Sequence, residues 1–595
     1  MWAFGLGLAG LVALLWHAVW MGAPVVDDAA ITIGYGLSFW SGHGLRLTET
    51  SQATEGFSSP LWVLITGLCG PLHVDPLRWA WWLDALFGAC GVGFFWRWGA
   101  ASERRSTRLE DSLVWAVALS VISFCFWLSS GMETGLEVFL LGLSGLLAFR
   151  EAHQKKGAWT GVVLGLLALS RPEGIAFAGC VGVWWVLVHL RTRPFPWGQT
   201  FAIAVRAAVI VCSYMAIRWL YFGELLPNTY FAKRTWDFHW RDYLEGFWTQ
   251  YDALLMACAA ASLLGLVHKS SRARTLLALM FCALQFVFVV ISKGDWMREW
   301  RFIVPIVPAL GVVLAASISG ARRAWTARRR VWQRALTALS LLCSTAFVAG
   351  AATTTLRQAK RLQELKAAPE FSAEFVMHNA SEWKKTLDAT GAKRPLLGLP
   401  DVGGVSLVFR QGEILDVAGL ADYALAHAKN LNAMDDYIVQ EGPPAIIDAH
   451  GPSGHIAQPR VRAAYNGWGG GVGWFPELSE SVDSRCPGSK QEILSLSTLA
   501  LQLRIEEKLK SAEPLVALAL WRCAFSYMDD AQLPSDRWRR SQAVNASKRA
   551  AELEQTDVAQ ALQFMSFATV VAGGNGPLRR KTEQLRAKLF PAVER

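Results

Sequence analysis

Read for hydrophobic and polar positions, the chain divides near residue 355. Before that point apolar runs recur at 2–21, 76–98, 111–130, 132–150, 157–170, 173–190, 201–222, 251–268, 275–292, 302–319 and 335–354, separated by short polar loops. Runs of roughly 20 apolar residues are long enough to cross a ~30 Å hydrocarbon core as helices. The first run has neither a basic flank nor a small-x-small cleavage site, so it reads as a retained helix rather than a signal peptide. One further run, 59–72, is short and stops at Pro71. After 355 the pattern turns soluble. Residues 357–387 have helical spacing, and PLLGL, SLVF and AIIDA are short apolar segments broken by Gly and Pro, which predicts a small α/β unit. GWGGGVGWF at 467–475 reads as a loop, and from about 490 the pattern is helical again, with breaks near 534 and at 573–577. No internal repeat is evident.

The short run at 59–72 decides the topology. If it spans, every later loop flips with it. If it lies in or dips into the interface, the chain makes eleven crossings, with loops 97–110, 150–157, 190–200, 268–274 and 320–334 on one side. Those loops carry more than twice the Lys and Arg of the opposite loops at 23–58, 131, 171–174, 223–250 and 293–301. The positive-inside rule therefore favours eleven crossings, a cytoplasmic N-terminus and an extracytoplasmic region after 355.

Composition agrees. The 595 residues are 53% hydrophobic and only 18% charged, too apolar for a soluble protein. The net charge of +10 needs no nucleic acid, because cytoplasmic anchoring loops account for much of it. Of the ten cysteines only Cys486 and Cys523 lie in the outer region, where either a disulfide or a buried free pair fits.

Chemistry-bearing residues gather on the outer side. Asp27 and Asp28 follow the first crossing and open the outer loop 23–58. RPEG (171–174), GELLPNTYFAKR (223–234) and KGDWMREWRF (293–302) lie at other outer helix ends. Ionisable groups at such positions point to function, although an ion pair between Arg171 and Glu173, or snorkelling of Lys233, Arg234, Arg298 and Arg301 to headgroups, is the plain structural alternative for each. As a set they suit transfer from a lipid-linked phosphate. Cations take up charge as the phosphate leaves, and a carboxylate accepts the proton of an attacking hydroxyl. The second aspartate raises the pKa of its neighbour, accepts another hydroxyl, or joins it in binding a divalent cation such as Mg, Mn or Ca. Tyr35, Phe39, Trp40, Phe57 and Trp62 offer faces for sugars, or interfacial anchors.

In order, DDAAITIGYG, GHGL, TEGFSSPLW, LSRPEG, LPNTYFAK, KGDWM with RFIVP, and LPDVGGVS with ILDVAGLAD resemble one group of bacterial GT-C glycosyltransferases, which includes the actinobacterial cell-wall arabinofuranosyltransferases. The resemblance covers most of residues 1–450. It implies a polytopic α-helical membrane protein of about eleven transmembrane helices with a C-terminal extracytoplasmic α/β plus helical domain. It divides the chain into 1–355 (catalytic, transmembrane), 356–489 (α/β) and 490–595 (helical extension). It implies a polyprenyl-phosphate-linked sugar donor, arabinofuranose among the sugars the group uses, and a cell-envelope glycan or glycolipid acceptor. It also implies inversion at the anomeric carbon, an active site facing the periplasm, and residence in the bacterial inner (plasma) membrane. By the same resemblance Asp28 or Asp27 is the base, and Arg171, Lys233, Arg298 and Arg301 contact phosphate. His43, Glu55, Glu173, Asn228 and Asp295 line the site. Gly56-Phe57 and KGDW depart from the group's usual turn and its Gly-Gly-Asp opening, which leaves the sugar open. Two other readings compete. A transporter would use Asp84, Glu137, Arg206 and Arg218 as an intramembrane path. A membrane-anchored binding protein would work through its outer domain.

Overall fold

In a computed structural model the described residues are 2–100, 108–154, 157–190, 192, 194–235, 238–267, 269–326, 358, 361, 372–390, 396–428, 446–448, 466–469, 472–474, 495–514, 516–518, 520–521, 533–571 and 576–589. The predicted crossing at 335–354, the basic residues Arg104 and Arg105, and both Cys486 and Cys523 lie outside them.

The described chain is mostly helical and is that of a membrane protein. Among its helices, Trp197–Phe222, Trp240–Val267 and Ser271–Ile291 are long and apolar enough to cross a membrane. The other apolar runs among the described residues are helices too, with two departures from the sequence pattern. The run at 111–130 is interrupted by Val121 in an extended conformation, which separates Arg108–Ser120 from Ile122–Trp127. The short run folds as two pieces, Pro60–Thr66 and Cys69–Leu72, after which His73 takes a left-handed φ of 54°. Together these pieces rise only about 17 Å at ~1.5 Å per residue, roughly half a hydrocarbon core.

Helix Asp27–Trp40 sits against Pro60–Thr66 at a glycine pair. A Cβ on Gly36 would lie 2.6 Å from Cα of Gly67, so the two backbones touch where neither residue has a side chain. This contact holds the outer-loop helix down on the helical body. A continuous apolar core runs beneath it, with Trp62, Phe95, Trp98, Phe124 and Phe281 fully buried.

Beyond residue 372 lies the α/β unit. Its strands are β1 (Leu396–Leu399), β2 (Glu413–Asp416), β3 (Ile446–Asp448), β4 (Asn466–Gly469) and β5 (Val472–Trp474), in the order β2-β1-β3-β5-β4. β1 is parallel to β2 and β3, while β5 is antiparallel to β3 and β4. Within the stretch predicted as a loop at 467–475, residues 467–469 and 472–474 instead lie on the antiparallel strands β4 and β5. Helix Gly403–Val408 connects β1 to β2, making a compact βαβ unit. Consequently DVGG (401–404) follows the carboxyl end of β1 and VAGLAD (417–422) that of β2. Adjacent parallel strands thus bring both motifs to one edge of the sheet, the edge where such sheets bind ligands. Helices Thr498–Lys510, Asp536–Leu553, Val558–Val571 and Gly576–Leu589 share a separate core around Leu501, Phe564 and Phe567. From the last of them Arg580 donates to the carbonyl of Gly223.

Candidate active site

The adjacent aspartates separate at once. Successive helical residues point about 100° apart at 3.6 residues per turn, so the first turn of Asp27–Trp40 sends its two carboxylates in different directions. Asp27 is buried and accepts from the backbone N–H groups of Gly403 (2.9 Å) and Gly404 (2.6 Å). Only glycine fits there, since a Cβ on Gly403 would come within 2.0 Å of the Asp27 carbonyl oxygen. Burial, with Asp401 nearby, pushes the Asp27 carboxyl up to about 7, against the two amide hydrogen bonds. Asp27 therefore fastens the α/β unit to the outer-loop helix.

Asp28 is half-buried and lines a cavity of about 560 Å³. Burial raises its pKa, opposed by Arg301 and Lys233. The Arg301 guanidinium stands 3.6 Å from Asp28 and 2.9 Å from Asp295, which also accepts from Nη2 at 3.2 Å. Lys233, just past the end of the short helix Asn228–Ala232, is an exposed side chain on the cavity lining, crowded by the protein around it. This desolvation and the Arg301 charge lower its pKa, against Asp28 and Asp295. Arg234 and Lys293 complete a basic side. The ring of Phe302 lies 5.1 Å from the Arg301 guanidinium and 5.5 Å from that of Arg171, so one aromatic face system orients both.

Arg171 differs from the other cations. It pairs with Glu133 at 2.7 Å, Glu173 at 2.6 Å and Glu137 at 3.2 Å, all buried. Three carboxylates around one guanidinium make this wall acidic, and Arg171 lines the cavity already paired with all three. Glu133 escaped the sequence reading. Its only signal is a lone carboxylate in the short outer turn GMET.

Several other sequence candidates do not line the cavity. Glu55 is held by Arg218 at 2.8 Å and by the Tyr214 hydroxyl at 2.6 Å. The Asn228 amide donates to the carbonyls of Gly419, Leu420 and Asp422 at 2.8–3.1 Å, a second clamp on the α/β unit. His43 is exposed and bonded to the Ser41 hydroxyl at 3.0 Å, and Arg298 is exposed outside the cavity wall. The charges a transporter path would use are also committed. Asp84 accepts from Gly131 and Gly135, Glu137 and Arg218 are paired as above, and Arg206 stacks on Trp159 at 5.9 Å. A divalent cation fits this donor set poorly. Asp27 is taken by amides, Asp28 and Asp295 face Arg301, and no cluster of three or more metal-binding side chains occurs among the described residues.

Comparison with known proteins agrees with the resemblance read from the motifs. No family model matches the chain. The terminal beta-(1->2)-arabinofuranosyltransferase of Corynebacterium glutamicum is 25% identical over 283 residues, 44% of this chain and 39% of that enzyme's length. The structure of ArnT from Cupriavidus metallidurans in the apo state superposes with a TM-score of 0.50 at 14% identity, over 77% of this chain and 95% of that one. The form bound to undecaprenyl phosphate gives 0.48 at 14% identity, over 76% and 94%. The chain has the overall fold of ArnT, and its sequence is similar over part of its length to an arabinofuranosyltransferase, both of them GT-C glycosyltransferases.

Proposed function

We propose that the protein is a membrane glycosyltransferase that moves a sugar, arabinofuranose by analogy with its sequence relative, from a polyprenyl-phosphate donor to a cell-envelope glycan or glycolipid. The observation that carries this reading is one cavity in which the Asp28 carboxylate faces a basic side made by Arg301 and Lys233. An acceptor hydroxyl attacks the anomeric carbon, and its proton passes to Asp28. The bond to the phosphate oxygen breaks, and the electron pair leaves with the phosphate, whose growing charge Arg301 and Lys233 take up. Attack opposite to the leaving group inverts the centre. Burial supports the base role by raising the Asp28 pKa, so that its carboxylate is a better proton acceptor than an exposed aspartate. The acidic wall of Glu133 and Glu173 offers acceptors for sugar hydroxyls, and Phe57 and Phe302 offer apolar faces.

The reading includes eleven crossings, a cytoplasmic N-terminus, residence in the plasma membrane, and division near 355 and 490. It is tested with purified protein in detergent and a short-chain polyprenyl-phosphoryl arabinofuranose. Wild type should release polyprenyl phosphate and extend an arabinan acceptor with inversion, and Asp28→Asn should do neither. Equal turnover by Asp28→Asn would sink it. For topology, single cysteines at Gln154 and Lys269 should resist an impermeant thiol reagent in spheroplasts, while ones at Ser41 and Ser381 should label.

A further inference from the structure

The turn that delivers Arg301 has an unusual backbone. Glu299 and Trp300, the two residues before it, both take left-handed φ values, 61° and 49°. Two consecutive non-glycine residues in this region are uncommon, and for a bulky Trp the conformation is a true outlier that persists only where its surroundings over-determine it. Those surroundings converge on Glu299, which is buried. One carboxylate oxygen accepts from the Ser123 hydroxyl at 2.6 Å and the other from Arg361 at 2.6 Å, while its backbone carbonyl accepts from the Trp127 indole at 2.9 Å. Ser123 is fixed in turn by the Tyr251 hydroxyl at 2.8 Å, at a non-helical kink in Trp240–Val267. The Trp300 ring packs against Phe247 and Tyr251, with the Arg361 guanidinium over it at 5.2 Å. None of these groups lines the cavity. Their common effect is to hold a strained turn whose next residue, Arg301, enters it beside Asp28.

Resting on the reading of Arg301 as a phosphate contact, we propose that Glu299 is a positioning residue: it locks the Glu299–Trp300 turn so that Arg301 is already aimed at the donor phosphate. Arg361, from the segment beyond the helical body, is the outer half of that lock. Its side chain is 41% exposed, so the lock is reachable from the solvent side while its effect falls inside the cavity. Pre-aiming matters because a guanidinium that must first be ordered loses part of its binding free energy to the ordering.

The test is a double-mutant cycle on the binding of a short-chain polyprenyl phosphate without sugar, measured calorimetrically on full-length protein in detergent, with thermal melting alongside. Arg301→Ala should weaken binding about ten- to a hundredfold, the range of one lost charge-assisted bond. Glu299→Ala should weaken it about five- to tenfold in the wild-type background, but by less than about twofold in the Arg301→Ala background, because a residue acting through Arg301 has nothing left to act on. Glu299→Gln, which keeps an acceptor for Ser123, should recover part of the loss. Arg361→Gln, changed at a half-exposed position, should repeat the pattern more weakly and carries the cycle if Glu299→Ala fails to fold. Equal weakening by Glu299→Ala in both backgrounds, or none in wild type, would overturn the proposal. Unchanged binding in Arg301→Ala alone would overturn the phosphate-site reading and the proposal with it.

Discussion

Replacing Asp27 by Asn tests the division of labour between the paired aspartates. The carboxylate of Asp27 accepts from two backbone N–H groups, those of Gly403 and Gly404. Asparagine keeps one acceptor oxygen and turns the other into an NH₂ that faces an N–H, leaving one buried amide opposed and unpaired. An unsatisfied buried donor costs about 1–3 kcal/mol, so local opening of the segment around 401–410 should become about 5- to 150-fold more frequent. Hydrogen exchange of peptides spanning 400–410, read by mass spectrometry, measures this directly. A pH series adds a sign. Burial lifts Asp27 from 3.8 to about 7, so between those values the folded protein keeps a proton that the unfolded chain has released. Its contribution to stability is full below about pH 4 and is lost as pH rises toward 7. Asn does not titrate, so the difference in melting temperature between wild type and Asp27→Asn should narrow across that interval. Exchange within twofold of wild type would refute the clamp, and a difference that widens with pH would refute the raised Asp27 carboxyl.

Asp28→Asn should abolish transfer, by at least the ~10²–10⁴-fold expected from losing a general base, with exchange at 400–410 and melting unchanged. In wild type the acid limb of kcat/KM should lie above the ordinary aspartate range, activity falling as pH drops through the raised Asp28 pKa. Arg171→Ala should destabilise the protein by about 3–5 kcal/mol, because it leaves Glu133, Glu137 and Glu173 buried without their cation; Arg301→Ala should chiefly affect donor kinetics, with Lys rescuing only in part. His43→Ala and Arg298→Ala should both turn over within about twofold of wild type, since neither side chain reaches the cavity.

The apolar runs made this a membrane protein in any reading, because their length and composition must be met by helices in lipid whatever they pack against. The same holds for the α/β unit after 372, whose short apolar segments between glycines admit little else. The motifs also named the segments that meet at the cavity: Asp28, Lys233, Asp295 and Arg301 arrive there from the blocks in which they were noticed. Which residue of each block enters was not legible. Asp27 and Asp28 are equivalent as neighbours in a string; one became a clamp because glycines 376 residues away bring their amides to it. Arg171 resembled Arg301 in type and position, but three carboxylates, one of them from an unremarked turn, consumed its charge. Glu55 and Asn228 were visible as polar residues in the motifs TEGFSSPLW and LPNTYFAK, yet an ion pair and three carbonyls absorb them. Spacing along a chain reports which face of an element is apolar. Which charges cancel, and which are left facing a cavity, depends on contacts between elements far apart in sequence, and only the folded structure supplies those.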